Sequence, residues 1–175
     1  MNIFFLDNDP AKAANYMVDK HVVKMILESA QLLSTAHRIL DGRKEVKIVD
    51  GRKKTCYTLY DERESVMYKT THANHPSAVW VRESIENYHW LVEHFFALCK
   101  EYTHRYGKTH KCHAMGILLQ NPPKNLGHYD MTPIPLCMPD EYKEEDSRIN
   151  SYREYYRKGK AELHNWTKRE KPEWL

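Results

Sequence analysis

The stretch that decides the fold is DKHVVKMILESAQLL, residues 19–33. Its apolar residues recur at steps of three and four, and the chain has neither glycine nor proline from Ala11 to Leu40. This periodicity predicts a long amphipathic helix, either continuous or with one break. Asp7-Asn8-Asp9-Pro10 predicts its start, because Asp and Asn cap helices and Pro suits the first turn. Asp41-Gly42 predicts its end.

The polar side of this helix carries side chains at steps of four, four, three and four, which places them on one face. They are Lys20, Lys24, Glu28, Gln31 and Thr35. A solvated face with an ordinary helical ion pair accounts for such a row and is the commoner case. The alternative is a site, in which neighbouring cations hold Glu28 ionised for proton transfer and the lysines contact phosphates.

The rest of the chain is also mostly helical in pattern. A second long helix is predicted from Asn74-His75-Pro76 to about Tyr106, and a shorter one over about Thr109–Leu119. Residues 121–139 contain five prolines and predict a structured surface loop. A fourth helix is predicted over about Asp140–Lys158.

Two segments leave alternatives open. Residues 2–6 are either a short apolar strand or an extended N-terminus. Residues 43–73 are either short strands or a basic loop, and their first part carries too many Lys and Arg residues for a core. The expected fold class is therefore mainly α, a single-domain helical bundle over residues 1–175 with two long helices, a short N-terminal extended segment and a Pro-rich loop.

The composition combines many polar-tipped aromatic residues with a small positive charge. There are 12 Tyr, 4 Trp and 11 His against 6 Gly, and the net charge is +3. These side chains suit base stacking and phosphate contact, but they close a modest core equally well. Hydrophobic residues make up 41% of the chain, which excludes a disordered or collagen-like protein. No apolar run is long enough for a membrane span.

The cysteines and histidines predict no metal site. Four widely spaced cysteines without a CxxC pair or a secretory signal predict reduced thiols in the cytoplasm, or in the host cytoplasm if the protein is viral. Zinc sites need paired ligands at set spacings, and the local cluster of His104, His110, Cys112 and His113 is irregular. We interpret that cluster as a basic surface patch. No nucleotide-cofactor motif is present, so no cofactor is expected.

Further candidate nucleic-acid contacts lie outside the helical row. An Asn and a His at a helix N-terminus favour anions, and the C-terminal part interleaves Lys and Arg with Tyr and Trp. Helix capping and inward packing of aromatic rings are the structural alternatives. The candidates are His21, Asn74, His75, Arg82, Arg153, Arg157 and Trp166.

Residues 19–33 resemble the first helix of the pyrimidine-dimer DNA glycosylase family of the bacteriophage endonuclease V type. The family's Lys, Lys, Glu and Gln correspond to Lys20, Lys24, Glu28 and Gln31. Asn74-His75-Pro76 resembles a second block of the family. The tail, with Trp166 and Pro172-Glu173-Trp174, is loosely similar to the family's aromatic end.

The resemblance implies a monomeric all-α DNA glycosylase with AP-lyase activity, acting on damaged or modified pyrimidines in double-stranded DNA. In that family the N-terminal α-amine attacks the sugar C1′ and forms a Schiff base, and a helix glutamate stabilises the intermediate. Glu28 matches that glutamate. Asn2 disfavours removal of the initiator methionine, so the amine would belong to Met1. Such amines are partly neutral at physiological pH and can act as nucleophiles.

The chain also departs from the family pattern. Leu27 and Gln31 stand where the best-known phage enzyme type carries arginines, and residues 43–73 and 121–139 have no counterpart. Two other functions therefore stay open: an enzyme of this fold acting on another modified base or nucleotide, and a non-catalytic nucleic-acid-binding protein. A carboxylate within the basic row favours an enzyme, because a pure phosphate binder gains nothing from it.

Overall fold

The computed structural model describes residues 1–175, and two long antiparallel helices form its frame. These are α2 (Asp19–Asp41) and α5 (Ile85–Tyr106). At one end of the pair the Arg105 guanidinium donates to Asp19 Oδ1 (2.9 Å), and at the other Tyr88 Oη and His37 Nε2 are hydrogen-bonded (2.8 Å). With seven α-helices and one two-stranded sheet, the protein is mainly α, as predicted.

The first predicted helix has one break. Its first part is α1 (Pro10–Tyr16), where the Asp9 carboxylate accepts hydrogen bonds from two first-turn amides. The backbone is extended at Met17 and Val18, and α2 then begins. Arg105 fills the break, donating to the carbonyls of Met17 (2.8 Å) and Asn15 (3.1 Å). A buried guanidinium thus satisfies carbonyl groups that a continuous helix would have paired internally.

The N-terminal segment is extended and forms no strand. All four residues of Ile3–Leu6 are buried in the core. The Phe4 ring stacks on His21 of α2 (4.3 Å between centroids), and Phe5 packs against Trp90 of α5 (4.5 Å). The start of the chain is therefore fixed against both long helices.

The second predicted helix is two helices, which corrects the sequence interpretation. The first is α4 (Pro76–Val81), and α5 starts afresh at Ile85 because Ser84 caps it by accepting a hydrogen bond from the Asn87 amide (3.1 Å). Capping here overrides the apolar periodicity. The predicted end is confirmed, since Gly107 follows α5 with a φ of 65°, a left-handed conformation that glycine adopts without strain.

The helical segment that follows α5 is shorter and less regular than predicted. The expected helix over Thr109–Leu119 is a 3₁₀ turn (Lys111–Met115) followed by the single-turn α6 (Gly116–Leu119). The Pro-rich residues 121–139 contain no helix or strand, as predicted.

The last α-helix begins later than expected. It is α7 (Arg148–Gly159), whose start is fixed by Ser147, which accepts from the Asn150 amide (3.2 Å). A 3₁₀ turn (Asp140–Tyr142) stands at the predicted start, and another (Ala161–Leu163) follows α7.

Residues 43–58 form a β-hairpin, which decides between the two alternatives for that segment. Strand β1 (Arg43–Val49) pairs antiparallel with β2 (Arg52–Thr58). Gly42 joins the hairpin to α2, and a Cβ there would lie 2.3 Å from the Arg38 carbonyl oxygen, so no larger residue fits without a shift. The single-turn α3 (Arg63–Val66) follows the hairpin.

Arg38 ties α2 to the chain after the hairpin. Its buried guanidinium donates to the carbonyls of Tyr57 (3.0 Å), Tyr68 (2.6 Å) and Met67 (3.0 Å), and to the Glu64 carboxylate (2.6 Å). Together with the Leu59 amide and Lys69, it lowers the pKa of Glu64 to about 2, against the opposing effect of burial. One side chain therefore holds the base of the hairpin and the segment that leads to α4.

The core is one cluster of 36 buried residues, to which every α-helix except α3 contributes. All four cysteines are free thiols. None of the helices combines the length and the apolarity that a membrane crossing requires.

Replacing Arg38 by Met should lower the free energy of unfolding by about 3–5 kcal/mol, because it leaves several buried carbonyls and a carboxylate without their donor. Urea denaturation measures this. Arg52→Met, on the exposed hairpin, is the control and should change stability by less than about 0.5 kcal/mol. Equal effects of the two changes would contradict the anchoring role of Arg38.

Stability should fall as the pH drops from 7 to 5. Burial lowers the pKa of His21, His37 and His94 to about 4, so these residues stay neutral when folded but take up protons when unfolded below pH 6.5. Their stabilisation is complete above that pH and is lost toward pH 4. His94→Gln should shrink the pH 7 to pH 5 difference in unfolding free energy by about 1–2 kcal/mol. His104→Gln, at an exposed position, should leave that difference unchanged.

Candidate active site

Glu28 of α2 lies against the first residues of the chain. Its Oε2 accepts a hydrogen bond from the Asn2 backbone N–H (3.1 Å), and its Oε1 lies 3.3 Å from Lys24 Nζ. The Glu28 side chain is only 13% exposed, whereas that of Lys24 is 66% exposed. The carboxylate is therefore directed at the N-terminus, and the lysine reaches past it into solvent.

Asn2 fixes the direction of the N-terminus. Its Nδ2 donates to the Cys137 carbonyl (2.8 Å), and its Oδ1 accepts from the amides of Ile3 (2.8 Å) and Phe4 (3.0 Å). Phe4 has a φ of 54°, a left-handed conformation that is strained for a bulky residue. The Asn2 hydrogen bonds and the stacking on His21 hold that conformation, which turns the backbone toward Glu28.

His75 closes another side of the site. It caps α4, with Nδ1 accepting from the Ser77 amide (3.2 Å), so that Nε2 is left for other partners. Burial lowers the pKa of His75, the positive charges of the Met1 α-ammonium and of His72 lower it further, and Glu28 acts in the opposite direction. These groups lie close enough to sense one another's charge, although they come from three separate parts of the sequence.

Thr35, the last member of the helical row, connects α2 to the loop that precedes α4. Its Oγ1 donates to the Thr71 carbonyl (3.3 Å) and accepts from the Thr71 amide (3.2 Å). Thr71 Oγ1 is in turn hydrogen-bonded to His72 Nδ1 (2.7 Å), and His72 has a φ of 48°. Sequence reasoning missed Thr71 and His72 because a loop carries no periodicity, and only the place of Thr35 on the row pointed to them.

The predicted row is continuous within α2. Lys20 and Lys24 are exposed, while Glu28 and Gln31 are half-buried beside them on the same helical face. Asn74 is exposed next to His75. The structure therefore brings six of the predicted residues to one region, with Met1 packed against the core at its edge.

Two predicted DNA contacts are buried. His21 is 6% exposed, lying between Phe4 and Tyr156, whose hydroxyl is 2.6 Å from its Nδ1. Trp166 is 8% exposed, and its Nε1 donates to the Tyr16 carbonyl (2.9 Å). In place of the expected DNA contact, both side chains carry out core packing and satisfy buried polar groups.

Three predicted arginines bind the protein itself. Arg82 donates to the Ala78 carbonyl (2.8 Å). Arg153 donates to the Leu6 carbonyl (2.9 Å) and to Asp7, and lies over the Trp174 ring (5.1 Å). Arg157 binds Glu154 and the Trp174 carbonyl. Arg82 thus binds its own helix, whereas Arg153 and Arg157 bind the N-terminal segment and the C-terminal tail.

The His/Cys cluster does not converge on a metal centre. His110 caps the 3₁₀ turn through Nδ1, which accepts from the Cys112 amide (3.2 Å), and His104 Nε2 lies 3.3 Å from the Lys168 carbonyl oxygen. No group of three or more His, Cys, Asp or Glu side chains is arranged to hold a metal ion anywhere in the protein.

The chain matches the model of one protein family, described as pyrimidine dimer DNA glycosylase, over residues 1–114. This is well over half of the chain, so the protein belongs to that family. The matched part contains the N-terminus, α2 with its row, and His75; the Pro-rich loop and α7 lie beyond it. Neither the curated proteins nor the solved structures include a match. Membership implies a glycosylase that acts on DNA.

Replacing Asn2 by Ala should loosen the first residues without unfolding the protein. Two amides lose their acceptor, and a hydrogen bond contributes about 1 kcal/mol, so amide exchange at Ile3 and Phe4 should accelerate about five- to tenfold. Exchange measured by NMR tests this, with exposed Asn8→Ala as the matched control. Unchanged exchange at Phe4 would contradict the proposed anchoring of the N-terminus.

Proposed function

We propose that the protein is a DNA glycosylase with AP-lyase activity on damaged or modified pyrimidines in double-stranded DNA, with the Met1 α-amine as its nucleophile. The observation that supports this most strongly is the Glu28 carboxylate, hydrogen-bonded to the Asn2 amide and thus held one residue from that amine. A surface ion pair would not need a carboxylate this buried or an N-terminus this constrained.

The first step exchanges one bond for another at C1′. The neutral amine nitrogen bonds to C1′ while the glycosidic bond breaks, and the leaving base takes the bonding electron pair and a proton. Loss of one amine proton from this adduct and opening of the sugar ring, with O4′ taking up a proton, give the protonated Schiff base, an iminium that keeps the other amine proton. Removal of a C2′ proton then expels the 3′ phosphate and cuts the strand. Each step requires a group that accepts or delivers a proton beside C1′.

Glu28 is suited to these proton transfers, and His75 is suited to donate a hydrogen bond beside it. Glu28, beside Lys24, stabilises positive charge on the iminium and accepts the C2′ proton. His75, with its pKa lowered, is neutral at pH 7, and because its Nδ1 accepts from the Ser77 amide, its Nε2 carries the hydrogen and can donate a hydrogen bond to a sugar or phosphate oxygen. No metal or cofactor enters this scheme.

The exposed part of the site is suited to the DNA backbone. Lys20, Lys24 and Asn74 point into solvent around Glu28, with Gln31 beside them, and phosphate contacts of this kind position a duplex. Bringing C1′ to the amine requires the target nucleotide to leave the base stack. That costs about a few kcal/mol, which phosphate contacts and stacking offset.

Glu28→Gln should keep the acceptor for the Asn2 amide but lose the base. We expect binding to a duplex with a pyrimidine dimer or an abasic site to stay within about twofold, whereas strand cleavage slows about 10²- to 10⁴-fold. Borohydride trapping and single-turnover cleavage measure the two effects separately.

Glu93→Gln, an exposed glutamate on α5, is the matched control and should behave like the unmodified protein. Acetylation of the N-terminus should abolish the trapped adduct. If the Glu28→Gln protein cleaves at the original rate, or if no substrate yields an adduct with the unmodified protein, the mechanism is wrong.

A further inference from the structure

The hairpin of residues 43–58 carries an excess of positive charge that the candidate active site does not use. It holds six Lys or Arg residues and two acids, a net charge of +4, whereas the whole chain has only +3. The rest of the protein is therefore slightly acidic, and the basicity of this DNA glycosylase is concentrated in one projecting element.

Most of these cations are free of carboxylates. The two acids of the hairpin are both engaged, Glu45 with Lys47 (2.9 Å) and Asp50 with Lys54 (3.8 Å). The other four cations form no ion pair: Arg43, Lys44, Arg52 and Lys53. Unpaired cations on one element repel one another. Solvent weakens this repulsion, and an anionic partner converts it into a net attraction.

The strand register sorts the hairpin into two unlike faces. The inner face is turned toward the body, and its Glu45, Cys56 and Thr58 are half-buried. The outer face has no acid and comprises Lys44, Val46, Ile48, Lys53, Thr55 and Tyr57, all exposed except the half-buried Tyr57. Of the four cations without an ion pair, Lys44 and Lys53 are on this face and Arg43 and Arg52 are on the other. Val46 is 67% exposed and Ile48 66% exposed, so two β-branched residues lie in water between two lysines. Adjacent exposed apolar residues rimmed by polar side chains are a feature of interaction sites.

The hairpin is positioned beside the candidate active site. From Glu28 to Gly42, α2 rises about 21 Å, which is the length of about six base pairs. Residues of the hairpin line a groove of about 470 Å³ together with Glu64, Lys69 and Thr70, and the next two residues are Thr71 and His72 of the site. The buried Arg38 fixes this spacing.

Duplex DNA matches the outer face in charge and in shape. A two-stranded ribbon fits a major groove about 12 Å wide, and seven paired residues extend about 23 Å along it. Lysines at the two ends reach phosphates, and the apolar centre contacts sugars and thymine methyl groups.

We propose that the outer face of the hairpin binds duplex DNA that flanks the target nucleotide, about six or more base pairs from it. This inference rests on the proposed function and extends it, because it assigns the hairpin to the flank while the α2 row positions the damaged site.

The test is binding to a duplex of about 30 base pairs with a central tetrahydrofuran abasic analogue, across 50–200 mM salt. Lys44→Ala/Lys53→Ala should weaken binding about tenfold at low salt. It should also make the slope of the logarithm of the association constant against the logarithm of the salt concentration about 1.8 less steep, as expected for two lost phosphate contacts. Val46→Ser/Ile48→Ser should weaken binding without changing the slope. On a duplex of about 8 base pairs, too short to reach the hairpin, both variants should bind like the unmodified protein.

Lys100→Ala/Lys108→Ala is the matched control, because it removes the same charge from exposed positions toward the far end of the α2–α5 pair. An equal loss in this control would overturn the proposal by showing a diffuse charge effect. If the hairpin variants lose self-association while the salt dependence of their DNA binding stays unchanged, the proposal is wrong and the outer face is a protein contact. The tetrahydrofuran duplex forms no Schiff base, so a failure of the proposed chemistry appears separately, as absent borohydride adducts with the unmodified protein.

Discussion

The hydrogen bond from the Asn2 amide to Glu28 is the interaction on which the candidate active site depends. A chain terminus normally frays, because a few hydrogen bonds rarely offset the entropy of its residues. Here the terminus is buried along Ile3–Leu6 and turned by a left-handed Phe4. Aromatic residues of α5 and α7 pack around that segment, Trp90 against Phe5 and Tyr155 and Tyr156 against Phe4.

Two buried arginines make α2 a rigid support for the site. Arg105 fixes its start through Asp19 and the carbonyls of the preceding break, and Arg38 fixes its end through the hairpin and the loop before α4. Both guanidiniums bind several acceptors, which compensates for their desolvation. Between them the helix holds Glu28 in a constant position relative to the N-terminus on one side and the basic hairpin on the other.

The sequence predicted what periodicity and capping encode. The row of α2 and the Pro-rich loop followed from patterns within a few residues, and Glu28 was selected as a candidate from its place among lysines. The same patterns left open whether the first helix has a break. The interruption before α5 was missed because apolar spacing hid the capping Ser84. The strands of residues 43–58 stayed undecided because their alternating pattern has charged residues on both faces.

Contacts over long sequence separations account for the remaining errors. His21, Trp166 and Arg153 lie among cations in the sequence, which suggested a DNA surface, yet each one satisfies a buried polar group from a distant segment. Conversely, Thr71 and His72 lie at the candidate active site because Thr35 binds the loop that contains them. Burial and loop geometry of this kind depend on the assembled fold and leave no local signature.

Peptide mapping of the borohydride-trapped DNA adduct tests the central claim most directly. Protease digestion and tandem mass spectrometry identify the nitrogen that carries the sugar remnant. The account predicts the α-amine of residue 1, next to the Asn2 amide that binds Glu28. A remnant on the Nζ atom of Lys20 or Lys24 would contradict it, because the nucleophile would then belong to the helical row and the buried N-terminus would have only a structural role.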